Sequence, residues 1–335
     1  MKTTDEKRGF ARAHTNIALI KYWGKADSKL ILPANDSVSL TLDEFYTDTI
    51  VAFSEKYSVN EFWLNGNLMP TKHMNRIERV INAVKEQYNY PGFAKIRSFN
   101  HVPTSAGLAS SASGMAALAG AAVNALDDTN DLTNISRIAR LGSGSASRSI
   151  FGGVVHWHRG TDHASSFAEQ VVSEKDIDLN MVTVVVNKHQ KNIKSTSGMK
   201  RTAETSPFYP TWVAESNRMV PEMLHAVKEN DFTKIGELAE HSAMMMHATT
   251  LAAIPAFTYF QPDTLKVIQL VKQIREVYGI ECYYTMDAGP NVKVLCQSKD
   301  VLAVRDFLRN HFDERQLVIA RPGSGIKFTK TERDF

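Results

Sequence analysis

Residues 103–113 read Pro-Thr-Ser-Ala-Gly-Leu-Ala-Ser-Ser-Ala-Ser, and this stretch decides the fold. It begins as a turn-forming loop with a glycine and continues into a run of small residues, 114–123, that predicts a helix. A loop of small side chains that opens into a helix directs backbone N–H groups and the positive end of the helix dipole at one point, which suits a phosphate. From the residues alone, a serine-capped helix packed in the core explains the stretch equally well.

The serines at the end of the loop add further chemistry. Ser110, Ser111 and Ser113 carry hydroxyls that can cap the helix or bind phosphate oxygens or the water of a metal ion. No Gly-Lys-Ser/Thr follows the loop and no Gly-x-Gly-x-x-Gly occurs in it, which excludes a Walker-type P-loop. Residues 94–100 predict a strand leading into the loop, so the strand–loop–helix context of a phosphate site is present.

The composition is that of a soluble globular protein. The chain has 335 residues, enough for two packed domains or one large one, with 43% hydrophobic and 22% charged residues. A net charge of +3 gives no argument for a nucleic acid or a membrane surface as a partner, so an anionic substrate would need a local cluster of cations. Cys282 and Cys296 lack metal or redox spacing, and no stretch approaches the length of a transmembrane helix. We therefore expect a cytoplasmic protein.

A second unusual segment, Lys21-Tyr22-Trp23-Gly24-Lys25, ends a strand predicted over residues 12–23. An anion pocket needs cations beside aromatic side chains, and this segment has both. The alternative is that each lysine is a solvated surface group, which is the commoner state of a lysine.

A third segment, residues 142–149, reads Gly-Ser-Gly-Ser-Ala-Ser-Arg-Ser. Four serines around Arg148 are typical of a site that binds an oxyanion, and a flexible surface loop is the alternative. The glycines argue against a place in the core. The segment follows a helix predicted over residues 131–141, with Thr133 as its cap.

Carboxylate and imidazole side chains occur at two further places. Asp287 follows a strand predicted over residues 282–286, and it is either an Asx-turn residue or a carboxylate directed into a cleft. His156 and His158 share one face of a predicted strand, an arrangement that can bind a metal ion. No third ligand stands at a useful spacing, so solvated imidazoles are the favoured interpretation.

The remaining pattern predicts an α+β protein in two parts. An apolar strand over residues 181–186 has the character of a central strand, and the sequence becomes polar and basic after it. This change places the domain junction there and predicts domains 1–187 and 188–335. The other predicted elements are strands over 37–42, 47–53 and 61–64, a helix over 74–88, and long helices over 212–228, 232–246 and 263–278.

Residues 103–113 resemble the Pro-x-x-x-Gly-Leu-x-Ser-Ser-Ala loop of the GHMP kinase superfamily, to which galactokinase, homoserine kinase, mevalonate kinase and phosphomevalonate kinase belong. Three further segments, 13–25, 142–149 and 286–292, narrow the resemblance to the diphosphomevalonate (mevalonate diphosphate) decarboxylase family. All lie in the family's order between residues 11 and 297, so the resemblance covers nearly the whole chain.

The resemblance implies a two-domain α+β fold with the active site in the cleft between the domains. The N-terminal domain would be ribosomal protein S5 domain 2-like, and the C-terminal domain ferredoxin-like. With ATP and Mg²⁺, the enzyme would convert (R)-5-diphosphomevalonate to isopentenyl diphosphate and release ADP, phosphate and CO₂. The tertiary 3-hydroxyl would be phosphorylated first, and departure of CO₂ would quench the cationic character left at C3. The family also implies a homodimer.

The resemblance assigns three catalytic residues. Asp287 would orient or deprotonate the hydroxyl, and Lys21 would hold that carboxylate ionised and offset charge on the transferring phosphoryl group. Arg148 would hold the substrate carboxylate with its forked guanidinium. The residues that would bind the substrate are Tyr22, Lys25, Ser143, Ser145, Arg148, Ser195 and Met199. Those that would wrap the ATP phosphates are Pro103, Ser105, Ala106, Gly107, Leu108, Ala109, Ser110, Ser111 and Ala112. Mg²⁺ would bridge phosphate oxygens with few protein ligands, Ser111 among them, directly or through water.

One residue departs from the family pattern. Many bacterial relatives have an arginine after the serine that matches Ser195, whereas this chain has Thr196. A contact from this loop to substrate phosphate is then in doubt, and Lys194, Lys200 and Arg201 are the candidates to replace it.

Two other functions stay open at the level of the sequence. A mevalonate 5-phosphate decarboxylase or a mevalonate-type kinase of the same superfamily would share the fold, and a fold does not fix its substrate. A nucleotide-binding regulatory protein on the same fold should lack the base or the cation, and this chain has both Asp287 and Lys21.

Overall fold

The computed structural model describes residues 6–101, 110–187 and 193–329. Its strands are β1 Lys7–Ile20, β2 Lys25–Asp27, β3 Leu32–Pro33, β4 Ser37–Ser54, β5 Glu61–Leu64, β6 Asn67–Leu68, β7 Phe93–Asn100, β8 Val154–Trp157, β9 Ala168–Val172, β10 Asn180–Val184, β11 Cys282–Met286, β12 Val292–Cys296, β13 Leu317–Ala320 and β14 Lys327–Thr329. Its α-helices are α1 Asn75–Gln87, α2 Ser110–Leu126, α3 Leu132–Gly142, α4 Ser195–Thr205, α5 Tyr209–Lys228, α6 Phe232–Leu251, α7 Pro262–Tyr278 and α8 Val301–Arg309.

The larger sheet has eight strands in the order β14-β1-β4-β7-β5-β6, and β8 and β9 extend it from the first part of β4. Its pairs are antiparallel except for β5 with β7. The pair β5–β6 is the hairpin that Asn65-Gly66 predicts, since both residues adopt positive φ. Because β14 pairs with β1, the chain returns to its first sheet near its end.

Strand β4 runs through 18 residues where the sequence predicts two separate strands, and that prediction was wrong. Asp43 and Glu44, between the predicted strands, are exposed but do not end β4. The strand changes its partner instead, because its first four residues pair with β8 and its last eight pair with β7. On its other side, β4 pairs with β1 from Lys7 to Ile20. Lys21 follows directly after the end of β1.

Helix α2 lies close against β1 because both surfaces carry small residues. The buried face of α2 consists mostly of alanine, and Gly9 of β1 faces it. A Cβ atom at Gly9 would lie 2.1 Å from the carbonyl oxygen of Ala121, so only glycine permits this approach. The predicted helix of small residues is confirmed, and Ser113 in its first turn contacts Thr47 of β4 in the larger sheet.

Most of the segment after α3 is buried. Its glycines predict that residues 142–149 lie outside the core, and that prediction was wrong. Asp131 caps α3 by accepting a hydrogen bond from the backbone N–H of Thr133, so Thr133 is not the cap. Residues Gly144–Ile150 then form a 3₁₀-helix in which most residues are buried. Hydroxyl pairs satisfy its polar groups, as where Ser136 and Ser147 approach to 2.7 Å between their Oγ atoms.

The second sheet has four antiparallel strands in the order β11-β12-β10-β13, and β10 is central, as its apolar sequence predicts. Alternate residues of β10 face opposite layers of helices. Met181 packs with residues of α5 and α6 such as Met219, while Val182 packs with residues of α7 and α8 such as Val267. The strand is therefore covered by helices on both faces.

The two sheets share a hydrophobic core. Ile17 and Leu40 of the larger sheet belong to the same buried cluster as Met181 and Met219 of the second part. This core brings the ends of β1 and β11 together, and the site described below lies there. The division into residues 1–187 and 188–335 stays a prediction; β10 pairs only with strands of the second part. Among the described helices, none is both long and apolar enough to cross a lipid bilayer.

Candidate active site

An ion pair joins the ends of two strands that lie far apart in the sequence. Lys21 follows β1, Asp287 follows β11, and 2.8 Å separates Nζ of the lysine from Oδ1 of the aspartate. The lysine also donates to the backbone carbonyl of Ala18 at 2.7 Å. Its side chain is 2% exposed, whereas that of Asp287 is 31% exposed. The carboxylate is thus held from the protein side and open to a ligand on the other.

A second lysine, which the sequence analysis missed, holds the other oxygen of the same carboxylate. Nζ of Lys293 lies 3.0 Å from Oδ2 of Asp287, and Lys293 is 1% exposed. The sequence does carry a signal for it, because Lys293 interrupts the otherwise apolar strand β12. A lysine in a strand of buried residues needs a charged partner, and the nearest carboxylate in sequence is Asp287.

The charges of these groups depend on one another. Burial alone would raise the pKa of Asp287, but Lys21 and Lys293 together hold that pKa well below its ordinary value. Burial lowers the pKa of Lys21 to about 8, and the neighbouring Asp287 opposes this shift. Two ammonium groups against one carboxylate leave an excess of positive charge that attracts an anionic substrate.

Arg148 is a buried cation whose protein partners are neutral. It is 3% exposed, donates to Oδ1 of Asn16 at 3.1 Å and to Oγ of Ser37 at 2.7 Å, and lies over the ring of Trp157. Among the described residues, no carboxylate comes within 4.0 Å of its guanidinium. Burial lowers its pKa to about 10, so the group stays charged at neutral pH. A buried charge without a counter-ion is costly, and an anionic ligand would remove that cost.

Tyr22 lies beside this arginine with an unused hydroxyl. Its ring packs edge-on against Trp157 at 4.9 Å between centroids, and its Oη is buried with no hydrogen-bond partner among the described residues. Gly144 makes room for it, because a Cβ there would lie 2.9 Å from that oxygen. The hydroxyls of Ser143 and Ser145 lie close by in sequence, 3.4 Å apart. Such hydroxyls can bind the oxygens of a ligand.

Two arginines of α1, Arg76 and Arg79, lie near Lys25, and the sequence analysis missed these as well. Burial, together with the charges of Arg76 and Arg79, lowers the pKa of Lys25. Arg76 also donates to Oγ1 of Thr196 at 3.3 Å. Thr196 stands where the family resemblance predicts an arginine, and an arginine of α1 contacts it here.

The residues proposed to replace that arginine have other contacts. Lys200 lies 3.8 Å from Glu204 along its own helix, and Arg201 lies over the ring of Phe257. Lys194 is exposed at the N-terminus of α4. Among the described residues, Arg76 is therefore the cation that contacts Thr196.

Helix α4 begins at Ser195 and packs against the Lys21–Lys25 segment through Met199. Met199 is 8% exposed in a buried cluster with Trp23, and Ala288, next to Asp287, packs against the same cluster. The sequence-predicted residues Ser195 and Met199 thus belong to the helix that covers this side of the site.

The start of α2 has features of a phosphate site in its described part. Ser111 is exposed in the first turn, Ala112 is buried, and the first turn contains no acidic residue. Ser113 points inward, with its Oγ 2.8 Å from that of Thr47. The predicted ATP-binding residues Pro103, Ser105, Ala106, Gly107, Leu108 and Ala109, and the side chain of Ser110, lie outside the described residues.

Fold and site together define a two-domain enzyme of the GHMP kinase type. The model of the diphosphomevalonate decarboxylase-like N-terminal domain matches residues 13–168, and that of the mevalonate 5-diphosphate decarboxylase C-terminal domain matches residues 181–329. The chain belongs to the diphosphomevalonate decarboxylase family. Diphosphomevalonate decarboxylase from Danio rerio is 37% identical over 333 residues, 92% of this chain and 82% of that protein. The Candida albicans enzyme is 35% identical, over 90% of this chain and 87% of its own length.

Solved structures of the same family have the same fold. Mevalonate diphosphate decarboxylase from Enterococcus faecalis is 48% identical, with a TM-score of 0.91 over 97% of this chain and 100% of that chain. A structure with the same values is a complex with MVAPP, AMPPCP and magnesium. The enzyme from Staphylococcus aureus is 43% identical, with a TM-score of 0.93 over 97% of this chain and 98% of that one. The predicted α+β two-domain fold is confirmed.

Proposed function

We propose that this protein catalyses the ATP-dependent decarboxylation of (R)-5-diphosphomevalonate to isopentenyl diphosphate, with release of ADP, phosphate and CO₂. The observation that carries the proposal is the carboxylate of Asp287, held between Lys21 and Lys293 and open on its remaining side. Arg148, buried with neutral partners, supplies the second element, a cation that can hold the substrate carboxylate.

Asp287 acts on the tertiary 3-hydroxyl of the substrate. Its low pKa makes it a weak base, so it first orients the hydroxyl by accepting its hydrogen bond. As the hydroxyl oxygen attacks the terminal phosphorus of ATP, the proton passes to the carboxylate and ADP leaves with the electron pair of the broken P–O bond. Lys21 offsets the negative charge that develops on the transferred group.

Arg148 acts on the second half of the reaction. It holds the substrate carboxylate so that the C–C bond to be broken is fixed next to C3. When the C3–O bond breaks, its electron pair leaves with phosphate. The electron pair of the C–C bond then forms the new double bond, and the carboxylate departs as CO₂.

The residues present fit ATP and Mg²⁺ at the start of α2. An exposed serine hydroxyl, a first turn without acidic residues and a 17-residue helix favour a polyphosphate there. Ser111 and Ala112, with the predicted loop 103–109, would hold the nucleotide, and Ser111 would bind the ion directly or through water. Bound there, Mg²⁺ would supply charge neutralisation for the phosphate groups of ATP.

The assay that tests the proposal follows CO₂ and ADP together. We expect equal amounts of both products from diphosphomevalonate and much less from mevalonate 5-phosphate. Equal or faster turnover of the monophosphate would make the protein a mevalonate 5-phosphate decarboxylase. ADP without CO₂ would make it a kinase. If neither ADP nor CO₂ forms, the protein would be assigned as a nucleotide-binding regulatory protein.

The pKa of Lys21 predicts an alkaline limit to activity. Lys21 is charged below about pH 8 and neutral above it, so kcat/KM should be constant below pH 8 and fall as the pH rises through that value. The bound anionic substrate favours the ammonium form, which should move the limit in kcat to higher pH. In Lys21→Arg the guanidinium stays charged, and the limit near pH 8 should disappear from the residual activity. A limit that stays near pH 8 in this variant would show that another group titrates.

Arg76 is expected to contribute to binding of the diphosphate group. Removal of one charged hydrogen bond to an anion costs about 1.5 kcal/mol or more, so Arg76→Gln should raise KM for diphosphomevalonate about 10-fold. KM for ATP should change much less. Arg309→Gln, at an exposed arginine of α8, is the matched control and should change neither value. An equal rise in both KM values would assign Arg76 to the fold of the pocket rather than to the substrate.

We also propose that the protein is a cytoplasmic homodimer. Cys282 and Cys296 are direct neighbours across β11 and β12, and both are free, buried thiols, which suits a reducing compartment. The dimer rests on the family resemblance. Light scattering after gel filtration should give twice the chain mass of 37.4 kDa. A mass equal to that of one chain would contradict the dimer.

A further inference from the structure

Three side chains that can bind a metal ion meet at the outer end of the β4–β8 pair. Asp36 immediately precedes β4, His156 lies in β8 and His158 follows it. One ligand atom from each lies within 4.8 Å of the others. The sequence places the two histidines together but not Asp36, which comes from 120 residues earlier. The expectation of solvated imidazoles was wrong for His156, which is 7% exposed.

The distance between His156 and Asp36 is close to the one expected if a metal ion replaced the proton of their hydrogen bond. Nε2 of His156 lies 2.9 Å from Oδ2 of Asp36, so one hydrogen bond joins them. Ligand atoms around a tetrahedral zinc ion, at bond lengths of about 2.0 Å, are about 3.3 Å apart. For the pair of His156 and Asp36, replacement of the shared proton by such an ion therefore requires a movement of a few tenths of an ångström. The two imidazole rings lie 4.0 Å apart between centroids, so the ring of His158 is close enough to provide the third ligand.

Further groups orient two of the three side chains, Asp36 and His158. Oδ1 of Asp36 accepts the backbone N–H of Arg159 at 3.0 Å, which turns Oδ2 toward His156. Oε1 of Glu169 lies 2.8 Å from Nε2 of His158, which leaves Nδ1 of that ring to bind the ion. A carboxylate behind a histidine ligand is the usual support of a metal site in proteins.

Two of the three side chains reach the surface. The side chain of Asp36 is 24% exposed and that of His158 is 33% exposed, so an ion can enter from solvent and keep water in its remaining positions.

We propose that Asp36, His156 and His158 form a binding site for a divalent cation of the zinc type. Two imidazoles and one carboxylate favour Zn²⁺ and Co²⁺, whereas Mg²⁺ and Ca²⁺ prefer oxygen ligands.

A bound ion would link β4 and β8, the strands beside which or in which the ligands lie and which carry two residues that contact Arg148. Ser37 follows Asp36 in the chain, and Trp157 lies between His156 and His158. Ser37 and Trp157 are register partners in β4 and β8, and both contact Arg148. The ion is then structural and separate from the reaction centre.

Titration of the full-length protein with Zn²⁺ and with Co²⁺, after treatment with a chelator, tests the site. We expect one ion per chain at micromolar concentration, a raised Tm, and visible absorption bands with Co²⁺. An excess of Mg²⁺ should leave the binding unchanged.

Variants assign the ion to these residues. His158→Gln, at a partly exposed position, should weaken Zn²⁺ binding about 10-fold or more and remove the rise in Tm. Asp36→Asn should have the same effect, and His225→Gln, at an exposed histidine of α5, should have none. Absence of binding, or equal binding by His158→Gln and the unaltered protein, would overturn the proposal. The histidines would then only form hydrogen bonds with Asp36 and Glu169.

Discussion

Asp287→Asn is expected to lower kcat by about 10³-fold or more, because the amide cannot accept the proton of the 3-hydroxyl. The side chain keeps its size, and its 31% exposed face stays open to the substrate. Affinity for ATP and for diphosphomevalonate should therefore change little. Rapid-quench measurement of ADP and CO₂ from a single turnover would place the loss in the phosphoryl-transfer step, before decarboxylation.

The same substitution should also lower stability. Lys21 and Lys293 would lose their shared counter-ion, and two buried ammonium groups without a carboxylate destabilise the fold. The pKa of Lys21 should fall further for the same reason. The kinetics are therefore compared at a temperature at which circular dichroism shows the variant folded. Asp306→Asn, at an exposed position of α8, serves as the matched control. Retention of most of the activity by folded Asp287→Asn would contradict its role.

Arg148→Gln is expected to have the second largest effect, a loss of activity without a loss of stability. Loss of a buried cation that pairs with a carboxylate costs about 2–5 kcal/mol, so kcat/KM for diphosphomevalonate should fall about 10²-fold or more. In the free protein the hydrogen-bond partners of the guanidinium are neutral, and burial disfavours its charge more than the charge of Asp287 favours it. A neutral side chain avoids that cost of burying the charge. The free energy of unfolding should therefore be unchanged or higher.

Thermal melting with and without substrate separates these effects. The unaltered protein should gain more stability from diphosphomevalonate than Arg148→Gln does. Arg148→Lys keeps the charge but cannot bridge Asn16 and Ser37 at once, so its activity should be intermediate. A less stable Arg148→Gln that binds substrate normally would give the arginine a structural role only.

The sequence predicts the parts of the fold that local patterns control. The alanine-rich helix α2, the Asn65-Gly66 hairpin and the central strand β10 follow from small residues, turn chemistry and an apolar run. The continuous strand β4 does not, because Asp43 and Glu44 look like the end of a strand when the change of partner from β8 to β7 is unknown. Strand pairing is a tertiary property, and it overrides local polarity there.

Of the residues in the candidate site, those within the quoted sequence motifs are the ones that could be predicted from the sequence. The proximity of Lys21 and Asp287 follows from the family resemblance of two distant segments, and no spacing rule could supply it. Lys293 and Arg76 lie outside the quoted motifs. For Lys293 the sequence carries one signal, a lysine within an apolar strand close in sequence to Asp287. Arg76 reads as an ordinary helix residue, and its contact with Thr196 becomes visible only when α1 is placed beside the site. Asp36 joins His156 and His158 for the same reason, because strand pairing brings together residues distant in sequence.

The most direct test of the central claim is a double-mutant cycle on kcat with Lys21→Met, Asp287→Asn and the double variant. If the ammonium and the carboxylate work as one unit, the double variant should lose about as much activity as the more damaged single variant. Losses in the two single variants that multiply in the double variant would show that the groups act independently, which would contradict the proposed reaction centre.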